Sequence, residues 1–274
     1  VSLHTIADAF AKARADGVDR LDAQLMLSAC MQQSRTWLIA NADGPLPVAA
    51  SNTFLSWLRR RAAGEPLAYI LGEKEFHGLL LKVDQNVLVP RPDTETLVDW
   101  ALEAMQGVTT PQVVDLGTGS GAIALAVKHM HPAAQVTATD ASDGALRVAS
   151  GNGQRLGLAV SWLLGDWWAP LAGRRFDFAL SNPPYINEGD HHLAALQHEP
   201  RSALTAGADG LQDIRLIVSG AREHLVPGGW LMLEHGHDQA RAVTCLLADA
   251  GFVDIASRRD LAGIERCTGA RAPH

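Results

Sequence analysis

Cysteine is scarce in this 274-residue sequence: Cys30, Cys245 and Cys267 stand far apart, with no C-x-x-C spacing. Three isolated thiols argue against a disulfide framework or a thiolate zinc site and fit a reducing compartment. No apolar run approaches the roughly 18 residues of a membrane-spanning helix, and residues 1–20 carry no charged-then-apolar export signal. A cytoplasmic location and no membrane partner are therefore expected. Positive charge is not in excess either: 23 Lys and Arg against 30 Asp and Glu give a formal charge of −7. That balance excludes broad, sequence-blind phosphate binding as the main activity and leaves room only for a local basic patch. What is present is apolar surface, at 47% of residues against 19% charged, enough to offset the entropy of ordering over most of the length. The length suits two domains.

Periodicity divides the chain. Residues 1–72 are expected to form a small helical domain: Leu3, Ile6 and Phe10 recur at helical spacing, as do Leu21, Leu25 and Cys30. Ser34 is placed to cap a short helix containing Trp37 and Leu38, and Arg59, Arg60 and Arg61 close a later helix where carbonyls are unpaired. Between Glu75 and Pro90 the period shortens through Phe76, Leu79, Leu81, Val83, Val87 and Val89, which predicts a hairpin; residues 73–92 are expected as a linker. Residues 93–274 form the second domain. After a helix around Leu97 to Met105, strands at Val113–Leu116, Val136–Thr139, Val160–Leu164, Phe176–Leu180, 230–233 and Phe252–Ala256 alternate with helices. Such alternation needs crossover connections, hence a doubly wound, mostly parallel α/β sheet whose ligands sit beyond the carboxyl ends of the strands.

Those ends hold the chemistry. Asp115-Leu116-Gly117-Thr118-Gly119-Ser120-Gly121 follows the first strand. Its glycines allow a tight turn and close ligand approach, and the following helix is expected to aim free amides at the bound group. With Ala122 it also satisfies the dinucleotide pattern G-x-G-x-x-A. Asp115 would repel a pyrophosphate, however, and suits a ligand with a cationic amino-acid end. Asp140, ending the second strand, is placed to accept both ribose hydroxyls of a nucleoside. After the third strand, Asp166 can accept an adenine amino group and Trp167 can cover the ring.

Ser181-Asn182-Pro183-Pro184-Tyr185 follows the fourth strand. The two prolines stiffen the backbone and remove two amide donors, while the Pro183 carbonyl and the Asn182 side-chain carbonyl remain as acceptors beside Tyr185 as a flat wall. Two acceptors and a wall suit a planar –NH2 group. Such a nitrogen is a poor nucleophile because its lone pair is delocalised. Accepting both N–H protons aligns it for attack.

With Gly64-Glu65-Pro66-Leu67-Ala68-Tyr69-Ile70-Leu71-Gly72, Val89-Pro90-Arg91-Pro92-Asp93-Thr94-Glu95, Glu199-Pro200, Gly210-Leu211 and Leu233-Glu234-His235-Gly236, these segments resemble HemK-type peptide chain release factor glutamine methyltransferases, within the class I S-adenosylmethionine-dependent methyltransferases. The resemblance runs over roughly residues 64–266 and departs at Cys267, where the family ending has valine. It implies a seven-stranded sheet and an N-terminal substrate-recognition domain. It implies S-adenosyl-L-methionine as cofactor, leaving as S-adenosyl-L-homocysteine. It further implies methylation of the glutamine side-chain nitrogen in the Gly-Gly-Gln motif of class 1 release factors. Asp115, Gly117, Thr118, Gly119, Ser120, Gly121, Asp140, Asp166, Trp167 and Asn182 would then hold the cofactor, and Asn182, Pro183, Pro184 and Tyr185 the substrate, with Asn182 and Pro183 catalytic.

Alternatives remain at this stage. Amino-methylation of a nucleic-acid base, adenine N6 or guanine N2, presents the same planar nitrogen. Residues 1–70 hold seven basic against six acidic side chains, too even a balance for a nucleic-acid surface, so a protein substrate is expected. A non-catalytic binding module has no use for the acceptor pair, and a dehydrogenase would bind NAD instead. His191, His192, His198, His235 and His237 match no metal spacing, and no metal is expected. Residues 186–208 make a long connection of the kind that forms a lid. Arg91 could order the hairpin or approach the substrate, and Glu234 and His235 have no assigned role.

Overall fold

A computed structural model describes residues 3–274, and the chain divides into two compact units, residues 1–72 and 73–274. The first is helical: α1 (Ile6–Ala15), α2 (Arg20–Met31), α3 (Arg35–Ala40), α4 (Val48–Ala62) and α5 (Leu67–Leu71). Thr5 starts α1 with a reciprocal capping box to Asp8, and Ser34 caps α3 by accepting from the Trp37 amide at 3.1 Å. Ile6, Met26, Leu27, Leu38, Phe54 and Leu58 form its core. Of the arginine triplet, Arg61 pairs with Asp22 at 2.6 Å and Arg60 with Glu65 at 2.5 Å. Those two guanidiniums hold helix ends together within the unit.

The second unit opens with the antiparallel hairpin β1 (Glu73–Phe76) and β2 (Leu79–Lys82), turning at His77 and Gly78, both with positive φ. Phe76, Leu79 and Leu81 are buried in the core of this unit, so the hairpin is part of it. The expected strand character does not continue to Pro90. Beyond Lys82 the backbone runs irregularly, although Val83, Val87 and Val89 stay buried. A single 3-10 turn, Pro92–Thr94, then leads into α6 (Glu95–Ala104).

The sheet is built from β3 (Gln112–Leu116), β4 (Gln135–Asp140), β5 (Ser161–Leu164), β6 (Phe176–Ser181), β7 (Leu225–Glu234), β8 (Val253–Arg259) and β9 (Glu265–Arg271), in the spatial order β5-β4-β3-β6-β7-β9-β8. β5 to β7 run parallel in that order, while β9 inserts antiparallel between β7 and β8. The connecting helices are α7 (Ala122–Met130), α8 (Asp143–Leu156), α9 (Gln212–His224) and α10 (Ala240–Asp249). Val113, Phe178 and Leu180 pack on one side with α6 and α7, and Val114, Leu116 and Ala179 on the other with α9 and α10. Burial on both faces is why β3 and β6 read as apolar runs rather than as an alternation. β9 escapes a propensity reading because its buried centre, Thr268-Gly269-Ala270, is small. A Cβ on Gly269 would lie 2.8 Å from the Trp100 indole of α6. Close packing, not strand propensity, selects those residues.

Candidate active site

The chain runs β3, β4, β5 outward on one side and then returns to lay β6 on the other side of β3. That reversal opens a crevice at the carboxyl ends of the strands. A cavity of about 280 Å³ lies there. Gly117, Thr118, Gly119 and Ser120 line it after β3, Asp140 at the end of β4, Asp166 and Trp167 after β5, and Asn182 and Pro184 after β6. Asn86, Val87, Leu88, Pro90, Arg91, Thr94, Pro200, Ser202 and Ala203 are also in the wall.

Four amides of the glycine loop are committed: those of Gly117 and Thr118 both donate to the Thr139 carbonyl at 2.9 Å, Gly119 to Asp140 Oδ2 at 2.8 Å and Gly121 to the Thr118 carbonyl at 2.9 Å. A pyrophosphate would find those donors already committed. The loop instead offers space. Gly117 has φ +71°, and a Cβ there would sit 2.9 Å from the Trp167 ring, so glycine is what lets the indole lie over the loop. Trp167 itself adopts positive φ, a strained conformation for a bulky residue. Its neighbour Trp168 is a packing residue: buried, stacked on His224, and donating from Nε1 to the Ile217 carbonyl at 2.9 Å.

Asp115 is not among the side chains that line the cavity, and its Oδ1 is buried without a partner among the described residues. It is wholly buried behind the loop, where Oδ2 accepts from Thr118 Oγ1 at 2.6 Å and from the Ala124 amide at 3.2 Å, tying the turn to the first turn of α7. Burial pushes its pKa to about 7. Gly121, Pro183 and Tyr185 likewise stand off the wall. Asp140 keeps its expected place: Oδ2 accepts from Gly119 and Oδ1 from the Ser142 amide at 2.8 Å, and each oxygen retains a lone pair. Burial and the nearby Asp166 raise its pKa. Asp213 adds a third carboxylate to the lining, also raised by burial and by Asp166. Arg91, the cationic residue among these walls, is committed to Glu199 at 2.5 Å. The cavity therefore presents unneutralised negative charge and suits a nucleoside carrying positive charge.

At the other end of the cavity, Asn182 Nδ2 donates to Thr94 Oγ1 at 3.1 Å, and Asn182 Oδ1 is buried with no hydrogen-bond partner among the described residues. A buried lone acceptor in a polar wall is unusual and points to a ligand donor. Tyr185 is not the expected flat wall of this cavity. Its carbonyl accepts from Gln239 Nε2 at 3.1 Å, and its phenol lies against Glu234. Gly210, φ +71°, approaches that carbonyl so closely that a Cβ would collide with it.

Three features escaped the sequence reading. Thr94 and Gln239 orient the tetrad but lie 88 and 54 residues from the groups they hold. Glu199 is buried and accepts from the Val89 amide at 3.0 Å and from Arg91, which fastens the 186–208 segment to the strap before α6. Arg91 thus orders structure. His235 is buried, bonded to Thr268 Oγ1 at 2.8 Å and to the Gly236 carbonyl, away from the cavity. The one grouping of metal-ligand side chains among the described residues is Asp190, His191 and His192, which is solvent-facing on the 186–208 segment.

Comparison with known proteins places this geometry. Residues 94–209 match the methyltransferase small domain family, and residues 3–72 match the PrmC N-terminal domain family. Among solved structures, the chain resembles the T. thermophilus 16S rRNA N2 G1207 methyltransferase in complex with AdoMet and guanosine (TM-score 0.57, 20% identity, covering 73% of this chain and 49% of that one). It also resembles a methyltransferase from Pyrococcus furiosus (TM-score 0.54, 18% identity, 72% of this chain and 90% of that one). Fold and crevice together define a methyltransferase of the seven-stranded, doubly wound class.

Curated relatives narrow the class. The release factor glutamine methyltransferase of Burkholderia pseudomallei is 49% identical over 269 residues, covering 95% of this chain and 94% of that protein. Those of Pseudomonas aeruginosa and Salmonella typhimurium are 47% and 40% identical, covering 91% and 98% of each chain. The chain belongs to the release factor glutamine methyltransferase family.

Proposed function

We propose that this protein transfers a methyl group from S-adenosyl-L-methionine to the side-chain amide nitrogen of glutamine in the Gly-Gly-Gln motif of class 1 peptide chain release factors. The observation that carries the reading is Asn182 Oδ1, an acceptor buried at the cavity wall while its own amide group is held by Thr94. The residues fit the cofactor. Asp140 has lone pairs for ribose hydroxyls, Trp167 lies over the loop, and Asp140, Asp166 and Asp213 favour a cation where the committed loop amides disfavour an anion. When bound, the sulfonium supplies an electrophilic methyl carbon.

Asn182 accepts one N–H of the glutamine amide, and the Pro183 carbonyl is the proposed second acceptor. Together they turn the nitrogen lone pair toward the reaction axis. Most of the rate gain is positioning, which can supply several kcal/mol of the barrier. A dedicated base is not required, because the methylated amide nitrogen loses its proton readily. Residues 1–72 are proposed to grip the release factor away from its Gly-Gly-Gln loop. The test is labelled methyl transfer to purified release factor. The glutamine-to-alanine factor should stay unlabelled, and labelling of that control, or of an rRNA fragment instead of the factor, would refute the assignment.

A further inference from the structure

Arg91 is the one cation on the cavity wall among the described residues, and its backbone belongs to the Asn182 end. Its carbonyl accepts from the Thr94 amide at 3.2 Å, and Thr94 Oγ1 accepts from Asn182 Nδ2 at 3.1 Å. An uncompensated positive charge there would repel a sulfonium bound in the same cavity. The charge is compensated by a residue that does not line the cavity. Arg91 Nη2 donates to Glu199 Oε1 at 2.5 Å, and Glu199 Oε2 accepts from the Val89 amide at 3.0 Å. The Glu199 side chain is 2% exposed.

Stability alone does not account for such a pair. Taking charges out of water costs about what their attraction returns, and a well-packed apolar pair is often as stable. The wall also carries Asp140, Asp166 and Asp213, yet the guanidinium pairs with the buried Glu199. Those three carboxylates are thereby left to a ligand, and the lining keeps its net negative charge. S-adenosyl-L-methionine and S-adenosyl-L-homocysteine have the same adenine, ribose and amino-acid ends. They differ by one methyl group and one positive charge. A contact to the common parts acts on both molecules, whereas a charge on the wall acts chiefly on the sulfonium.

We infer that Glu199, by holding and cancelling the Arg91 charge, sets the cavity's preference for the cationic cofactor over its neutral product. The inference rests on the proposed function, which supplies both ligands. Glu199 is a positioning residue, since it acts through Arg91 and lies off the cavity wall. One molecule of product forms in each turnover, so this preference decides how far product blocks the next cofactor.

Calorimetric titration of the full-length protein with S-adenosyl-L-methionine and, separately, with S-adenosyl-L-homocysteine tests it. Glu199→Gln keeps the shape of the side chain and leaves the Arg91 charge uncompensated. The ratio of cofactor affinity to product affinity should fall about tenfold. Adding Arg91→Met to Glu199→Gln removes both charges and should restore the wild-type ratio within about twofold. A merely structural pair would weaken both ligands alike and leave the ratio where it was. Glu199→Ala, which sets no amide against the Val89 N–H, makes the same comparison should the glutamine variant fail to fold. An unchanged ratio overturns the inference, as does a lowered ratio that persists in the double variant. If the wild-type protein binds neither ligand, the cofactor reading falls and the inference with it. If it binds both and the ratio alone fails to move, the reading stands and only the inference falls.

Discussion

The two ends of the cavity treat their polar groups differently. At the ends of β3 and β4, the amides of Gly117, Thr118, Gly119 and Gly121 are satisfied by neighbouring backbone or by Asp140. Asp115 Oδ1, behind the loop, is the buried oxygen at that end without a partner among the described residues. At the ends of β6 and β7, Asn182 Oδ1 and Glu234 Oε2 are buried without partners. A polar group left unsatisfied costs about 1–3 kcal/mol, so both ends give up stability, the first at a carboxylate behind the loop and the second at an acceptor on the cavity wall. The contrast separates a nucleoside cradle whose open carboxylate lies behind the loop from a site whose open acceptor faces the cavity.

The sharpest way to break the contrast is to remove the acceptor. Asn182→Ala should lower kcat about 10² to 10³-fold while S-adenosylmethionine affinity changes by less than about threefold. Steady-state labelling and calorimetry on the same preparation decide it. Equal losses in both would mean that the two ends are not separate sites.

The next largest effect should come from the helical unit. Residues 73–274 hold their own core, so a chain lacking residues 1–72 should keep cofactor affinity and lose at least about tenfold in kcat/KM on intact release factor. A Gly-Gly-Gln peptide should be methylated equally by both chains. Undiminished activity of the shortened chain on the intact factor would remove the recognition role from residues 1–72.

A smaller effect is expected at the cradle. Asp140→Asn keeps the shape but replaces one of two acceptor oxygens with an amide donor, opposing either the Gly119 or the Ser142 N–H and a ribose hydroxyl. Cofactor affinity should weaken about tenfold to a hundredfold, with kcat at saturation nearly kept. A kcat loss without an affinity loss would place Asp140 at the wrong end.

How much of this could be read beforehand follows from the same division. The glycine loop, Asp140, Asp166-Trp167 and Asn182 sit within a few residues of a strand end, so periodicity finds the strand and the strand locates them. Thr94, Glu199 and Gln239 act across 54 to 110 residues. Nothing in local pattern marks a threonine after Arg-Pro-Asp as the partner of an asparagine 88 positions later. Asp115 stands off the cavity wall for a related reason. Its position after two valines signals a strand end, but only the sheet register shows that its side chain points at α7 rather than into the crevice. β9 was hidden because Thr268-Gly269-Ala270 is selected by the bulk of Trp100, which no propensity scale contains.

The smallest predicted effect tests the cost of the acceptor end directly. Burial raises the Glu234 pKa from its ordinary 4.5 to about 7. A carboxyl raised on folding contributes stability below its unfolded pKa, where it is protonated in both states. That contribution is lost as pH climbs through the folded pKa. Asp115, raised to about 7 by burial, adds the same trend, but it is present in both proteins and cancels in a comparison. Glu234→Gln has no proton to lose. Its melting temperature relative to wild type should therefore rise between pH 5 and pH 8, by an amount corresponding to about 2 to 3 kcal/mol. Calorimetric melting at the two pH values measures it. A difference that does not change with pH would mean that the buried carboxylate costs nothing in the folded protein.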